Sequence, residues 1–244
     1  MYDGIILAAG KNTRLKGIIP SYHKPMLIVN GKPLITSIAK QLLDRCERVV
    51  VVVSPENCGP ITELLAASDM LSDNLHIVIQ PEARGPGEAI LRALLVCKSE
   101  RVLIALGDNV IPTKDFDNIF EEDFQAVDQN PNFASNHITI SYVTVEEDEE
   151  AERFTRILGT DFIEGYPGGK FQDRYRCWTG PLIADLQTLE SALTQLHRKS
   201  AVAGLETKIS PALNYIEHRT VTTVEGSSID IGTSDALLQL SREV

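Results

Sequence analysis

The most constraining feature of this chain is the alternation of short apolar runs with helical patterns through its first half. Residues 4–9 read as a strand, 35–46 as a helix with Ile35, Ile38, Leu42 and Leu43 on one face, and 49–53 (VVVVV) as a strand. That strand carries no polar side, so both of its faces must be covered. A helix is expected near 61–67, a strand at 76–79, a helix at 86–96 and a strand at 102–106. This βαβαβαβ order predicts an α/β fold: a doubly wound, mostly parallel sheet.

The second half is mixed. Residues 138–145 (ITISYVTV) alternate as a strand does, and the acidic stretch 146–152 reads as a solvated turn. Further strands are expected at 157–163 and 177–184, and helices at 186–197 and 207–218. No internal repeat, hexapeptide array or linker interrupts the chain. Its 244 residues fit one domain, 1–244, with extra strands covering the mouth of the sheet.

The net charge of −11 argues against nucleic acid as a partner. That charge is uneven. Residues 1–40 hold six lysines and arginines against Asp3 alone, a local +5, which leaves −16 on the remaining 204 residues. A cationic patch on an acidic protein predicts a site for a small anion. Cys46, Cys58, Cys97 and Cys177 lack metal-type spacing and read as reduced thiols. No apolar run reaches the roughly 20 residues that cross a bilayer, and no leader pattern opens the sequence. The expectation is a soluble, cytoplasmic protein without a membrane partner; a homo-oligomer is compatible with it.

The first strand runs into GIILAAGKNTRL. Ligands of open parallel sheets bind beyond the carboxyl ends of strands, where a turn can aim backbone N–H groups at an anion. Gly10 permits close approach, and Asn12 tolerates positive φ. Thr13 offers a hydroxyl, Arg14 a planar fork for phosphate oxygens, and Lys24, stiffened by Pro25, a second cation. The pattern is neither G-x-G-x-x-G nor G-x-x-x-x-G-K-[ST], which sets dinucleotide and P-loop readings aside.

LAAG-x-x-TRL followed by KPM resembles the signature of the sugar-1-phosphate nucleotidyltransferases, or NDP-sugar pyrophosphorylases, closest in motif to the glucose-1-phosphate thymidylyl- and uridylyltransferases. The resemblance implies a Rossmann-like fold with a nucleotide half at about 1–112 and an acceptor half at about 113–244. It implies nucleotide contacts from Leu7, Ala8, Ala9, Gly10, Lys11, Asn12, Thr13 and Arg14, with Arg14 and Lys24 catalytic. A second match, QPEARGPGEAI, implies that Gln80 and Gly85, followed by Pro86, read the base. Gly85 then Pro86 also suits a helix entry with free N–H groups. A third, LIALGDNV, implies Asp108 as a Mg²⁺ ligand, and a fourth, SSIDIGTSDAL, implies Asp230 as the second. Mg²⁺ prefers carboxylate oxygens completed by substrate phosphates.

The chain departs from the family at four places. Asn12 and Ser228 stand where the family has Gly and Trp, and Thr155 where it favours Gly. IEGYP replaces its Glu-Lys-Pro, so Glu164 keeps a sugar-hydroxyl role while Gly165 lacks the phosphate-holding lysine. Lys170, Arg174 or Arg176 could supply that charge. Asn109, Thr155, Glu164, Lys170 and Gly180 are the expected acceptor contacts.

The implied reaction is NTP + sugar 1-phosphate → NDP-sugar + pyrophosphate, with Mg²⁺ as cofactor. UTP or dTTP is favoured because Gln80 can match a pyrimidine edge; CTP and GTP stay open. The acceptor side leaves room for a cyclitol phosphate or phosphocholine. A glycosyltransferase of the same fold would carry an Asp-x-Asp pair, absent around Asp108. A catalytically inactive regulatory relative would not retain Arg14, Lys24, Asp108 and Asp230 together. Molybdopterin guanylyltransferases share the opening motif, but fit the Gln80 and Asp230 contexts less well. The five histidines show no ligand spacing and are expected to carry no chemistry.

Overall fold

A computed structural model describes residues 1–10, 23–146, 154–163 and 174–231. The first half comprises β1 (Tyr2–Leu7), a small hairpin β2 (Ile28–Val29) and β3 (Lys32–Pro33), and α1 (Leu34–Leu43). It continues with β4 (Arg48–Val53), α2 (Cys58–Ala67), β5 (Leu75–Ile79), α3 (Pro86–Leu94) and β6 (Arg101–Leu106). Then follow β7 (Asn109–Val110), α4 (Thr113–Gln129), β8 (His137–Val145), β9 (Thr155–Leu158), β10 (Asp161–Ile163) and β11 (Tyr175–Asp185). The last described elements are α5 (Leu186–Val202), α6 (Ile209–Leu213), β12 (Thr220–Glu225) and β13 (Ile229–Asp230).

Strands β6, β1, β4 and β5 pair in parallel, as the alternation predicts, and lie side by side in that order. Val49, Val50, Val51, Val52 and Val53 are all fully buried, because apolar side chains pack on both faces of the sheet. Each such side chain contributes about 1.5–3 kcal/mol through burial. The sheet extends to nine strands through β11, which runs antiparallel to β6. β11 borders β8 on one edge; on the other it borders β6 with its second half and β9 with its first. The β9–β10 hairpin therefore lies past the carboxyl end of β6, at the mouth of the sheet that extra strands were expected to cover.

Three differences from the sequence reading have local causes. Residues 157–163 form two strands, because Gly159 takes φ +61° and turns the chain back so that Leu158 pairs with Asp161. The helix expected over 207–218 shrinks to α6, since Thr207 instead exchanges backbone hydrogen bonds with the turn before α3. Helix α4 and strand β12, parallel to β8, were not foreseen. The four cysteines are free, and burial pushes the Cys46 and Cys97 thiols up to about 12, keeping them protonated. No helix of the described residues is long and apolar enough to cross a membrane.

Candidate functional site

A pocket of about 350 Å³ opens at the carboxyl ends of β1, β5 and β6. Leu7, Ala9 and Gly10 line it from the first strand, Gln80, Gly85 and Pro86 from the turn into α3, and Asp108 from the end of β6. The main chain of Ala8 is fully used: its N–H donates to the Val52 carbonyl (2.8 Å) and its carbonyl accepts from Asn57 Nδ2 (2.7 Å). Asn57 is completely buried and also accepts from the Ser54 amide (2.8 Å). The exit of β1 is thereby pinned to β4. At Gly10, by contrast, a Cβ would meet no described atom within 4 Å.

The turn into α3 is built differently. Gly85 has φ +94° and ψ 166°, a region essentially confined to glycine. A Cβ there would lie 2.5 Å from the Thr207 carbonyl oxygen, and one on Gly87 would lie 2.8 Å from the Thr207 methyl carbon. Thr207 accepts from the Gly87 amide and donates its own to the Arg84 carbonyl, both at 2.8 Å. The segment before α6 thus clamps this turn and brings Glu206 to the pocket wall. Gln80, nearly buried, donates Nε2–H bonds to the Gly85 carbonyl (3.0 Å) and to Glu88 Oε2 (2.7 Å). Glu88 in turn pairs with Arg92, one helical turn on.

At the third strand end, Lys24 Nζ donates to Asp108 Oδ2 at 3.1 Å. Lys24 is buried, and Pro25 holds it at the start of a single 3₁₀ turn. The pairing of β7 with β13 sets Asp230 opposite Asn109, the neighbour of Asp108, although about 120 residues separate the two acids in sequence. The Ile231 amide donates to the Asp108 carbonyl (3.4 Å). Asp115 of α4 supports this arrangement by accepting from the Ser227 amide at 2.7 Å. Among the described residues no group of three or more His, Cys, Asp or Glu side chains could hold a metal. Two carboxylates nevertheless suit Mg²⁺, which takes few protein oxygens and fills its shell with water and phosphate.

The remaining expected residues divide. Lys11, Asn12, Thr13, Arg14, Glu164, Gly165 and Lys170 lie outside the described residues. The Asn109 side chain is buried and spent as a donor to the Thr179 carbonyl, tying β7 to β11. Gly180 is a glycine because a Cβ would lie 2.6 Å from the Ser141 hydroxyl and 2.9 Å from that of Ser228. Thr155 faces α6, its hydroxyl 2.6 Å from that of Ser210. Arg174 pairs with Glu146, whereas Arg176 lies over the Tyr142 ring at 5.2 Å and donates to the Thr223 hydroxyl (3.2 Å). Sequence reasoning missed Glu206, Asn57, Glu88, Arg92 and Thr207. Only Glu88 and Arg92, spaced i,i+4 on a helix, left a readable signal.

Comparison with known proteins adds to this geometry. The profile of the family described as the MobA-like NTP transferase domain matches residues 4–130, just over half of the chain. Bifunctional protein GlmU of Methanococcus maripaludis is 32% identical over 119 residues, which cover 48% of this chain and 27% of that protein. The match therefore spans about a quarter of that relative's length. A putative glucose-1-phosphate thymidylyltransferase from Bacillus anthracis, solved with a sucrose, superposes over 100% of this chain and 95% of its own, with a TM-score of 0.76 and 22% identity. HddC from Yersinia pseudotuberculosis covers 100% and 99%, with a TM-score of 0.70 and 21% identity. Both share the fold of this chain from end to end.

Proposed function

The chain belongs to the MobA-like NTP transferase domain family, and from that premise we propose that it joins an NTP, UTP or dTTP, to a sugar 1-phosphate and releases pyrophosphate. The observation that carries this reading is the convergence of Gly10, Gln80 and Asp108 on one pocket, with Asp230 brought alongside by the β7–β13 pairing.

An acceptor phosphate oxygen attacks the α-phosphorus in line; its P–O bond forms as the bond to the β-phosphate oxygen breaks, and pyrophosphate leaves with that electron pair. The attacking oxygen is already anionic, so no general base is needed. Catalysis is then positioning and charge neutralisation. Arg14 and the amides of residues 10–13 would cradle the β- and γ-phosphates. Lys24 would move from Asp108 towards charge on the α-phosphate. Asp108 and Asp230 would hold Mg²⁺, which supplies positive charge to phosphate oxygens when bound.

On the acceptor side, Glu164, Lys170, Thr155, Gly180 and Asn109 would shape the sugar site. Arg174 and Arg176 are the described arginines considered for its phosphate; Arg174 pairs with Glu146, and Arg176 donates to the Thr223 hydroxyl. The proposed setting is the cytoplasm, where nucleoside triphosphates are available.

Pyrophosphate release from a panel of NTPs, sugar 1-phosphates, a cyclitol phosphate and phosphocholine, with and without Mg²⁺, tests the reading. Mg²⁺-dependent release with UTP or dTTP and a sugar 1-phosphate is expected. Arg14→Ala and Asp108→Asn should each lower turnover at least about 10²-fold, the scale of losing one transition-state donor. Near-normal turnover in either variant contradicts its assigned role; no pyrophosphate from any pair overturns the proposal.

A further inference from the structure

Among the described strands, β10 forms an outer edge of the nine-stranded sheet, and such an edge presents main-chain N–H and C=O groups without a strand partner. Asn214, the residue after α6, takes both of these groups on Phe162, the middle residue of β10. The Phe162 N–H donates to Asn214 Oδ1 (3.0 Å), and Asn214 Nδ2 donates to the Phe162 carbonyl (2.7 Å). A side-chain amide carries an acceptor and a donor side by side, as a neighbouring strand would. Arg219 fixes the turn of the same hairpin. Its Nε donates to the Thr160 carbonyl (2.6 Å), its Nη2 pairs with Asp161, and its Nη1 reaches back to the Asn214 carbonyl (3.2 Å). Ile157 and Phe162 of the hairpin share one apolar cluster with Ile209, Leu213 and Ile216. At the other end of this short stretch, Thr207 is bonded to Arg84 and Gly87, in the turn that lines the nucleotide pocket.

We infer that Asn214, supported by Arg219, is a positioning residue for the acceptor: it docks the β9–β10 hairpin on α6 and so fixes that wall relative to the nucleotide turn held by Thr207. This rests on the nucleotidyltransferase reading above and deepens it. The hairpin carries Thr155, and Glu164, the residue expected to take a sugar hydroxyl, follows Ile163 directly in sequence. In-line attack requires both substrates to be held within bonding reach of each other, so the wall that carries one must be tied to the wall that carries the other. Here the tie runs through residues 207–219. Removing the Asn214 amide releases the hairpin end of it and leaves the Thr207 bonds in place. The acceptor site is therefore loosened while the nucleotide turn is not.

The test measures kcat and the KM of each substrate, for a productive pair of NTP and sugar 1-phosphate, in the wild type, Asn214→Ala, Arg219→Met and, as a control, Lys199→Met. Asn214 is exposed, so water reaches the groups that Asn214→Ala frees, and thermal unfolding of each variant establishes that it folds. Asn214→Ala should raise the acceptor KM at least about fivefold, the scale of two lost hydrogen bonds, and leave the NTP KM unchanged. Arg219→Met should act in the same direction. Lys199→Met removes a contact between α5 and the Tyr215 hydroxyl, away from the hairpin, and should change neither value. A second readout needs no substrate. Trp178, the one tryptophan of the chain, pairs with Thr155 and shares the apolar cluster of Phe162, so its emission should move to longer wavelength in Asn214→Ala. An acceptor KM at the wild-type value in both Asn214→Ala and Arg219→Met overturns the inference, as does an equal rise in the two KM values or an unmoved emission. Wild-type protein that turns over no nucleotide defeats the parent reading and the acceptor role with it, while the emission still reports whether Asn214 holds the hairpin.

Discussion

Gly10 and Gly85 stand on the same pocket wall in different surroundings. Among the described residues nothing lies within 4 Å of where a Cβ on Gly10 would project, whereas Gly85 is required by the protein itself. Its φ of +94° and the Thr207 carbonyl 2.5 Å from a would-be Cβ leave no room for alanine. Gly85→Ala should therefore cost at least about 1–3 kcal/mol, read as a lower denaturant midpoint, even without nucleotide. An unchanged midpoint would mean that the Thr207 clamp yields freely. Gln80 and Asp108 were legible as candidates through the resemblance of QPEARGPGEAI and LIALGDNV to family motifs that follow apolar strands. Glu206 was not, since it reaches the pocket only through backbone pairing between segments about 120 residues apart. Asn109 and Gly180, expected as ligand contacts, also serve the packing between β7, β8 and β11: Asn109 donates to the Thr179 carbonyl, and a Cβ on Gly180 would meet the Ser141 hydroxyl.

Among the elements, α4 shows why a long helix can hide. Its buried face runs Asp115, Phe116, Ile119 and Asp123, so two acids interrupt the apolar stripe that would announce it. Asp123 is fully buried and accepts from Arg101 Nε (2.7 Å), the Tyr2 hydroxyl (3.0 Å) and the Thr139 hydroxyl (2.7 Å). One carboxylate thus joins α4 to β1, β6 and β8. Burial, reinforced by Asp123, pushes the Tyr2 phenol above its ordinary range, so it stays protonated and donates. Asp123→Asn leaves the Arg101 guanidinium buried without its counter-charge and should cost about 3–5 kcal/mol in chemical denaturation. Adding Arg101→Met should recover part of that loss, because the double variant buries no lone charge. Strictly additive losses would show that the pair is not coupled.

For the whole molecule, the parallel pairing of the first half followed from alternation, while the antiparallel half depended on a register shift in the β11–β8 pairing between Trp178 and Leu182 and on Gly159 at positive φ, neither of which periodicity encodes. Acidity also acts at this scale. With a net charge of −11 near neutrality, mild acidification reduces self-repulsion and favours the compact state. His137 opposes that trend. It is buried beside the Asp123 network, with Nε2 3.1 Å from the Thr139 hydroxyl and Nδ1 2.9 Å from that of Thr220. The Thr139 hydrogen is given to Asp123, so Thr139 accepts from an Nε2–H and the neutral ring accepts from Thr220 at Nδ1. Burial lowers the His137 pKa below its usual 6.5; the Asp123 charge pulls the other way and Arg101 adds to the lowering. The unfolded chain therefore binds the proton first as pH falls. The stabilisation from His137 is complete above the ordinary histidine value and is lost as pH drops through that value towards the folded one. Unfolding free energy measured from pH 8 to pH 5 should fall more steeply for the wild type than for His137→Gln, with the difference opening below about pH 6.5. Parallel curves for the two proteins would mean that the ring is as free to take a proton in the folded chain as in the unfolded one.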